Sequence, residues 1–118
     1  MISAIVLAGG KSRRMGQDKR RLKLWGEAGP NLLEHTVQLV GQLCNDVVVV
    51  LNDAEQWPQL RARHIADIYP NAAALGGIYS GLSAANNKRA LVVACDMPFL
   101  KLELLSFCLL YTSDAADE

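Results

Sequence analysis

The sequence predicts an α/β domain with a mainly parallel sheet and helices on both faces. Near-continuous apolar runs at Ile2 to Ala8, Val47 to Leu51 and Ala90 to Cys95 have the character of strands buried on both sides. Segments with helical apolar spacing separate them, the alternation expected of a parallel sheet with helical crossovers. The first run breaks directly into Gly9-Gly10, and two successive glycines let the backbone turn sharply and bring its N–H groups close to a ligand.

The stretch after that strand is strongly cationic. Lys11, Arg13, Arg14, Lys19, Arg20, Arg21 and Lys23 place seven cations in thirteen residues against the single acid Asp18, an arrangement suited to a polyphosphate. Two familiar phosphate loops fail here. A Walker A loop needs a glycine five positions before Gly10, where Ile5 stands. A dinucleotide fingerprint needs G-x-G-x-x-G, and the glycines are 9, 10 and 16.

The remaining elements follow in order. Leu24 to Pro30 carries turn residues suited to a connection or short hairpin. Asn31 reads as a helix N-cap with Glu34 three residues on, and Leu32, Leu33, Val37, Leu39, Val40 and Leu43 supply an apolar face. His35 lies within that helix as a surface or partly packed residue. Val47 to Leu51 is a central strand, and Asn52-Asp53 ends it, with Asp53 able to cap a short helix towards Leu60. His64 to Asp67 reads as a short strand ending in an acid, at the level where doubly wound sheets gather ligands; an Asp opening a turn through its own backbone bonds is the alternative. The small residues around Leu75-Gly76-Gly77-Ile78-Tyr79-Ser80-Gly81-Leu82 permit a helix close against the sheet, and Asn86-Asn87-Lys88 ends it. The last strand, Ala90 to Cys95, delivers Asp96-Met97-Pro98 at its carboxyl end, where a carboxylate beside a cationic loop suits Mg²⁺. Lys101 to Phe107 begins a further helix.

Composition narrows the class. The 118 residues are 51% hydrophobic and contain no apolar run long enough for a membrane span, and Met1-Ile2-Ser3 has no basic region that would open a secretory signal. A cytoplasmic location is expected. Cys44, Cys95 and Cys108 have no metal-finger spacing and read as reduced, mostly buried thiols. Residues 109–118 do not continue the preceding periodicity. With Cys108 they resemble the translation of a transposon-based sequencing adapter, so we expect residues 1–107 to be the N-terminal, nucleotide-binding part of the domain and 108–118 a non-native tail. Without those residues 12 cations face 9 acids, a net +3 concentrated between Lys11 and Lys23.

Leu7 to Lys19 resembles, at every fixed position, the loop of nucleotidyltransferases that couple a nucleoside triphosphate to a phosphorylated acceptor: Leu-Ala-Gly-Gly, three variable residues, Arg-Met-Gly, one residue, Asp-Lys. With Leu75 to Leu82 and Ala94 to Pro98, the chain resembles the molybdenum cofactor guanylyltransferases over about residues 3–107. The resemblance implies a Rossmann-like nucleotidyltransferase fold and transfer of GMP from GTP to the terminal phosphate of molybdopterin, releasing pyrophosphate. It implies backbone contacts to the nucleotide from Leu7, Ala8 and Gly9, with Gly10 in the same loop, and Lys19 on the phosphates. Asn52, Asp67 and Asp96 would also meet the nucleotide, Asp96 holding Mg²⁺. Arg14 is an added candidate for a phosphate or pyrophosphate contact. GTP and molybdopterin are the implied partners, along with transient contact to molybdenum-cofactor insertion or acceptor proteins.

This chain departs from the family in three respects. It has Ala73-Ala74-Leu75-Gly76-Gly77 where the family usually has Gly-Pro-Leu-Ala-Gly, and Asn52 fits the family's asparagine with a one-residue shift. The family's later segment, which supplies a second metal contact and much of the molybdopterin surface, is absent. The nearest alternatives are a relative using CTP on molybdopterin or a triphosphate on a sugar or polyol phosphate, and a non-catalytic nucleotide-binding fragment. Gly9-Gly10 favours GTP, because the cytidylyl members commonly have Ala-Gly there. Nucleic-acid binding is disfavoured by the short basic patch and the lack of interleaved aromatics before Trp25.

Overall fold

A computed structural model describes residues 2–8, 19–53, 55, 57–58, 60, 62–68 and 73–95. Four parallel strands form one sheet: β1 (Ile2–Leu7), β2 (Asp46–Val50), β3 (Arg63–Ile65) and β4 (Arg89–Ala94), in the order β3-β2-β1-β4. Two helices, α1 (Leu32–Gly41) and α2 (Ala73–Ala84), and a 3-10 turn at Lys19–Arg21 complete the described elements. The α/β class is as the apolar pattern predicts. The strands begin and end one or two residues away from the expected bounds, and Leu24–Pro30 contains turns rather than a hairpin.

Alternation along β1 separates the two faces of the sheet. Ala4, Val6 and Ala8 join Val49, Leu51 and Val93 in the core that α1 covers with Leu33 and Val40. Ile5 and Leu7 face the other way, against Gly81 and Gly77 of α2. β1 is therefore buried from both sides, with Ala4, Ile5 and Val6 at 0% exposure. This accounts for a sequence that is apolar at almost every position instead of every second one.

The predicted cap of α1 is present in full. Asn31 Oδ1 accepts the Glu34 N–H at 2.9 Å, and Glu34 Oε1 accepts the Asn31 N–H at 3.1 Å. His35, in the first turn, stacks on Trp25 with ring centroids 3.9 Å apart. Cys44 and Cys95 are buried free thiols, and burial pushes the Cys44 thiol up. None of the described helices is long and apolar enough to cross a membrane.

α2 can lie against β1 because it lacks side chains at the contact. A Cβ on Gly81 would collide with Cγ2 of Ile5, and one on Gly77 would stand 3.0 Å from Leu7 Cδ2. Gly81→Val should therefore lower stability by about 1–3 kcal/mol through overpacking. The check is a lower thermal midpoint, with far-UV circular dichroism retained below the transition.

The amino ends of the strands are fastened by Asp46. Its carboxylate accepts the Ser3 hydroxyl at 2.8 Å, the Asn86 N–H at 2.9 Å and the Arg63 guanidinium at 2.9 Å. Burial pushes this carboxyl up, but the hydrogen bonds from Asn86, Ser3 and Arg63, with the Arg63 charge, outweigh it and hold it below the usual value. A carboxylate depressed in the folded state stabilises above its unfolded value of about 3.9, and the contribution is lost as pH falls through the folded value. Asp46→Asn should flatten the acid limb below about pH 5, measured as thermal midpoint against pH, and should lower the midpoint at pH 7.

Candidate functional site

The carboxyl ends of the strands meet along one edge of the sheet. Beyond the regular elements the ladder continues by one step: Ala8 N–H donates to Val50 O at 3.0 Å, Leu51 N–H to Ile65 O at 2.9 Å and Cys95 N–H to Leu7 O at 3.2 Å. The tips of all four strands are thus held level. The chain passes from β1 through α1 to β2 on one side and from β3 through α2 to β4 on the other. The order of the strands consequently reverses between β1 and β4, and at such a point the loops diverge and leave a crevice for a ligand.

Several predicted residues gather at this edge. Leu7 and the buried Ala8 end β1, and Lys19 opens the 3-10 turn that follows the glycine loop. Asn52, exposed at the end of β2, accepts the Asp67 N–H through Oδ1 at 2.9 Å, so these two candidates are adjacent and their backbones are coupled. Gly77 comes within van der Waals range of this group, its notional Cβ lying 3.8 Å from Asp67 Oδ2. Gly9, Gly10, Arg14 and Asp96 lie outside the described residues, as does the side chain of Lys19.

Ser80 emerges from the structure as a fixture of the same edge. It is fully buried on α2; its hydroxyl accepts the Ile68 N–H at 2.7 Å and lies 2.9 Å from Gly76 O and 3.5 Å from Asp67 Oδ1. A hydroxyl has one proton, and the shorter bond to Gly76 O claims it. Ser80 therefore anchors the segment bearing Asp67 to α2. Its position in a run of small residues carried no signal of that role, which depends on a segment twelve residues away.

The basic cluster divides in a way its composition did not show. Arg20 is 2% exposed, and both its terminal nitrogens meet Asp53, at 2.8 and 2.7 Å. Asp53 thus gives both carboxylate oxygens to this guanidinium; residues 54 and 56, beside which its expected helix cap would form, lie outside the described residues. The Arg21 guanidinium carbon stands 4.3 Å from the centroid of Trp57, and Lys23 donates to Glu27 O at 2.9 Å. These three cations are engaged with the scaffold.

A Mg²⁺ ion shared with substrate phosphates needs one or two carboxylates and keeps several waters. No group of three or more potential metal ligands occurs among the described residues. The donor chemistry nevertheless fits such a sparse site: Asp67 is at the edge, and Asp96 directly follows Cys95, whose N–H bonds the end of β1.

This is a Rossmann-like parallel α/β architecture, and the sequence signature Leu7 to Lys19 begins at the carboxyl end of the interior strand β1. Residues 4–116 match the model of the MobA-like NTP transferase domain. A Chloroflexus aggregans protein named "Probable molybdenum cofactor guanylyltransferase" is 57% identical over 106 residues, covering 90% of this chain and 51% of that one. A protein of the same name from Peptoclostridium acidaminophilum is 34% identical over 118 residues, covering 98% and 52%. Among solved structures, molybdopterin-guanine dinucleotide biosynthesis protein A from Archaeoglobus fulgidus superposes with a TM-score of 0.67 at 28% identity, covering 89% of this chain and 52% of that one. The chain belongs to the MobA-like NTP transferase family. It spans about half the length of the curated relatives it matches.

Ser80→Ala should leave Ile68 N–H without its acceptor and cost about 1 kcal/mol. Hydrogen exchange should quicken at Asp67 and Ile68 while the amides of β1 remain protected.

Proposed function

We propose that this chain is the nucleotide-binding half of an enzyme that transfers GMP from GTP to the terminal phosphate of molybdenum-molybdopterin, releasing pyrophosphate. The observation that carries the reading is the Leu7 to Lys19 loop signature, rooted at the tip of the central strand of a parallel sheet, in a chain 57% identical to a relative of that name. The Gly9-Gly10 pair favours GTP over CTP by family resemblance.

The chemistry matches what such an edge can offer. A phosphate monoester has its second pKa near 6, so at neutral pH the acceptor is already a competent nucleophile. Its oxygen attacks the α-phosphorus of GTP as the bond to the leaving pyrophosphate breaks. No side-chain base is required. The barrier lies in bringing two anions together, and cations and backbone N–H groups lower it by holding the phosphates in line. In this reading the backbone of Leu7, Ala8, Gly9 and Gly10 lies against the nucleotide, Lys19 and Arg14 neutralise phosphate charge, and Asn52 and Asp67 orient the nucleoside. Asp96 would hold Mg²⁺, which when bound screens the triphosphate charge. The burial of Arg20 against Asp53 takes one cation out of the basic run, which favours a bounded ligand loop over a broad nucleic-acid-binding surface.

Calorimetric titration with GTP and with CTP, each with and without Mg²⁺, tests the reading. Tighter, Mg²⁺-dependent binding of GTP is expected. Lys19→Ala should weaken it by about tenfold or more while leaving the melting curve unchanged, and Asp96→Asn should remove the Mg²⁺ dependence. Equal binding of the two nucleotides would overturn the guanylyl assignment, and unchanged affinity in Lys19→Ala would remove that lysine from the site.

A further inference from the structure

Trp25 is a large aromatic side chain kept at the surface in a fixed pose. Its indole stacks on the imidazole of His35 with ring centroids 3.9 Å apart and planes inclined by 26°, yet the residue stays 43% exposed. The turn that carries it is tightly pinned. Lys23 Nζ donates to Glu27 O at 2.9 Å, Gly29 N–H donates to Gly26 O at 3.0 Å, and Gly26 takes a φ of +94°, in the left-handed region that favours glycine. Gly29 passes so close that a Cβ there would stand 2.8 Å from the Trp25 carbonyl oxygen. The chain's other tryptophan, Trp57, is by contrast buried at 7% exposure against Arg20 and Arg21.

Three observations place this ring pair at the carboxyl edge of the sheet. β1 and β2 are parallel, so α1 between them runs from their carboxyl ends back to their amino ends, and His35 is in its first turn. Residues 22–31 lead into α1 from the 3-10 turn Lys19–Arg21, whose Arg20 bonds the Ala8 carbonyl at the end of β1. That 3-10 turn also lies beside α1. Ligands of doubly wound sheets gather at this edge. A single exposed leucine such as Leu24 needs no explanation. A tryptophan left outside the core, backed by a second ring and held by a tight turn, is different: it offers one flat face to the surface. An indole face attracts another planar π system, and stacking on it accepts any ring with a π-face.

We propose that Trp25, backed by His35, is a stacking platform for a planar heteroaromatic ring of a substrate bound at the carboxyl edge. Both substrates of the function proposed above carry such a ring, guanine in GTP and the pterin in molybdopterin. The choice of these two rings rests on that reading; the platform rests on the ring geometry alone. Stacking supplies affinity and orientation but little discrimination, because it reads a π-face and not a hydrogen-bond pattern. His35 is a positioning residue: it touches no ligand and holds the indole in place. Trp25 lies outside the Leu7 to Lys19 signature and so gives the site a contact that the signature does not carry.

The test is tryptophan fluorescence of the full chain, titrated separately with guanosine and with carboxypterin, which carry the two rings without a phosphate. Saturable quenching by at least one ring is expected in the wild type. Trp25→Leu leaves the buried Trp57 as the only fluorophore and should abolish the quenching, with calorimetric affinity for that ring about tenfold weaker. Trp25→Phe keeps a ring face and should hold affinity within about threefold of the wild type; His35→Ala should fall between the wild type and Trp25→Leu. Saturation with guanosine alone assigns the platform to the nucleotide, and with carboxypterin alone to the acceptor. Quenching that rises linearly without saturating is collision with an exposed indole and would overturn the proposal, as would unchanged affinity in Trp25→Leu. Calorimetry of GTP against CTP with Mg²⁺ on the same protein keeps the two readings apart. Equal binding of the nucleotides beside a saturable ring signal overturns the guanylyl reading alone, whereas preference for GTP without a saturable ring signal overturns the platform alone.

Discussion

The rest of the structure depends on the burial of β1 from both sides. Ala4, Ile5 and Val6 have no exposure, β2 and β4 supply hydrogen bonds along both edges, and helices close both faces. The arrangement works because the contacts are unequal. α1 meets its face with Leu33 and Val40, whereas α2 offers Gly77 and Gly81 and lies almost directly on Ile5 and Leu7. Interior packing leaves little room for adjustment, so a side chain added at that second contact must displace something. The loop that follows β1 is consequently rooted in the least movable strand of the domain.

The polar groups are sorted to the two ends of that rigid unit. At the amino ends, Asp46 gathers Ser3, Arg63 and Asn86, while Asn87 adds bonds from its backbone and side chain to Ser3 at 3.2 and 3.1 Å. This network is closed upon itself and holds the strand starts in register. At the carboxyl ends the corresponding work is divided: Arg20 and Asp53 tie the end of β1 to the end of β2, and Ser80 and Asn52 hold the backbone at Ile68 and Asp67. The second network fixes the backbone along the carboxyl edge of the sheet while leaving Asn52 itself exposed. The same physical device, a buried or half-buried hub with all its bonds made, thus serves register at one end and presentation at the other.

How much of this was legible in the sequence follows from the range of each interaction. The strands declared themselves because two-sided burial leaves a continuous apolar run, and the cap of α1 because Asn31 and Glu34 satisfy each other within four residues. The glycine loop was legible as a motif. The bonds of Arg20 to Ala8 and Asp53 and of Ser80 to Ile68 were not, since each spans at least twelve residues and no local periodicity encodes the pairing. Asp53 shows the limit well. A cap was the local option for an Asp ending a strand, and nothing local signalled that its two oxygens meet a guanidinium 33 residues away.

The same distinction explains why charge density alone does not tell which cations face outward. Seven cations between Lys11 and Lys23 look alike in the sequence, but a cation at the surface and a cation with a buried partner do opposite things to a passing anion. Arg20 is buried and matched by Asp53, whereas Arg21 over Trp57 and Lys23 on the Glu27 carbonyl remain exposed. The boundary falls at Lys19, the last residue of the nucleotidyltransferase signature and the first of the 3-10 turn. Cations up to that point belong to the segment that carries the signature; of those after it, Arg20 bonds the Ala8 carbonyl and Asp53, Arg21 meets Trp57 and Lys23 meets Glu27. A charge matched within the scaffold contributes to position and only an unmatched one can attract an anion, so a count of cations along the sequence does not separate the two roles.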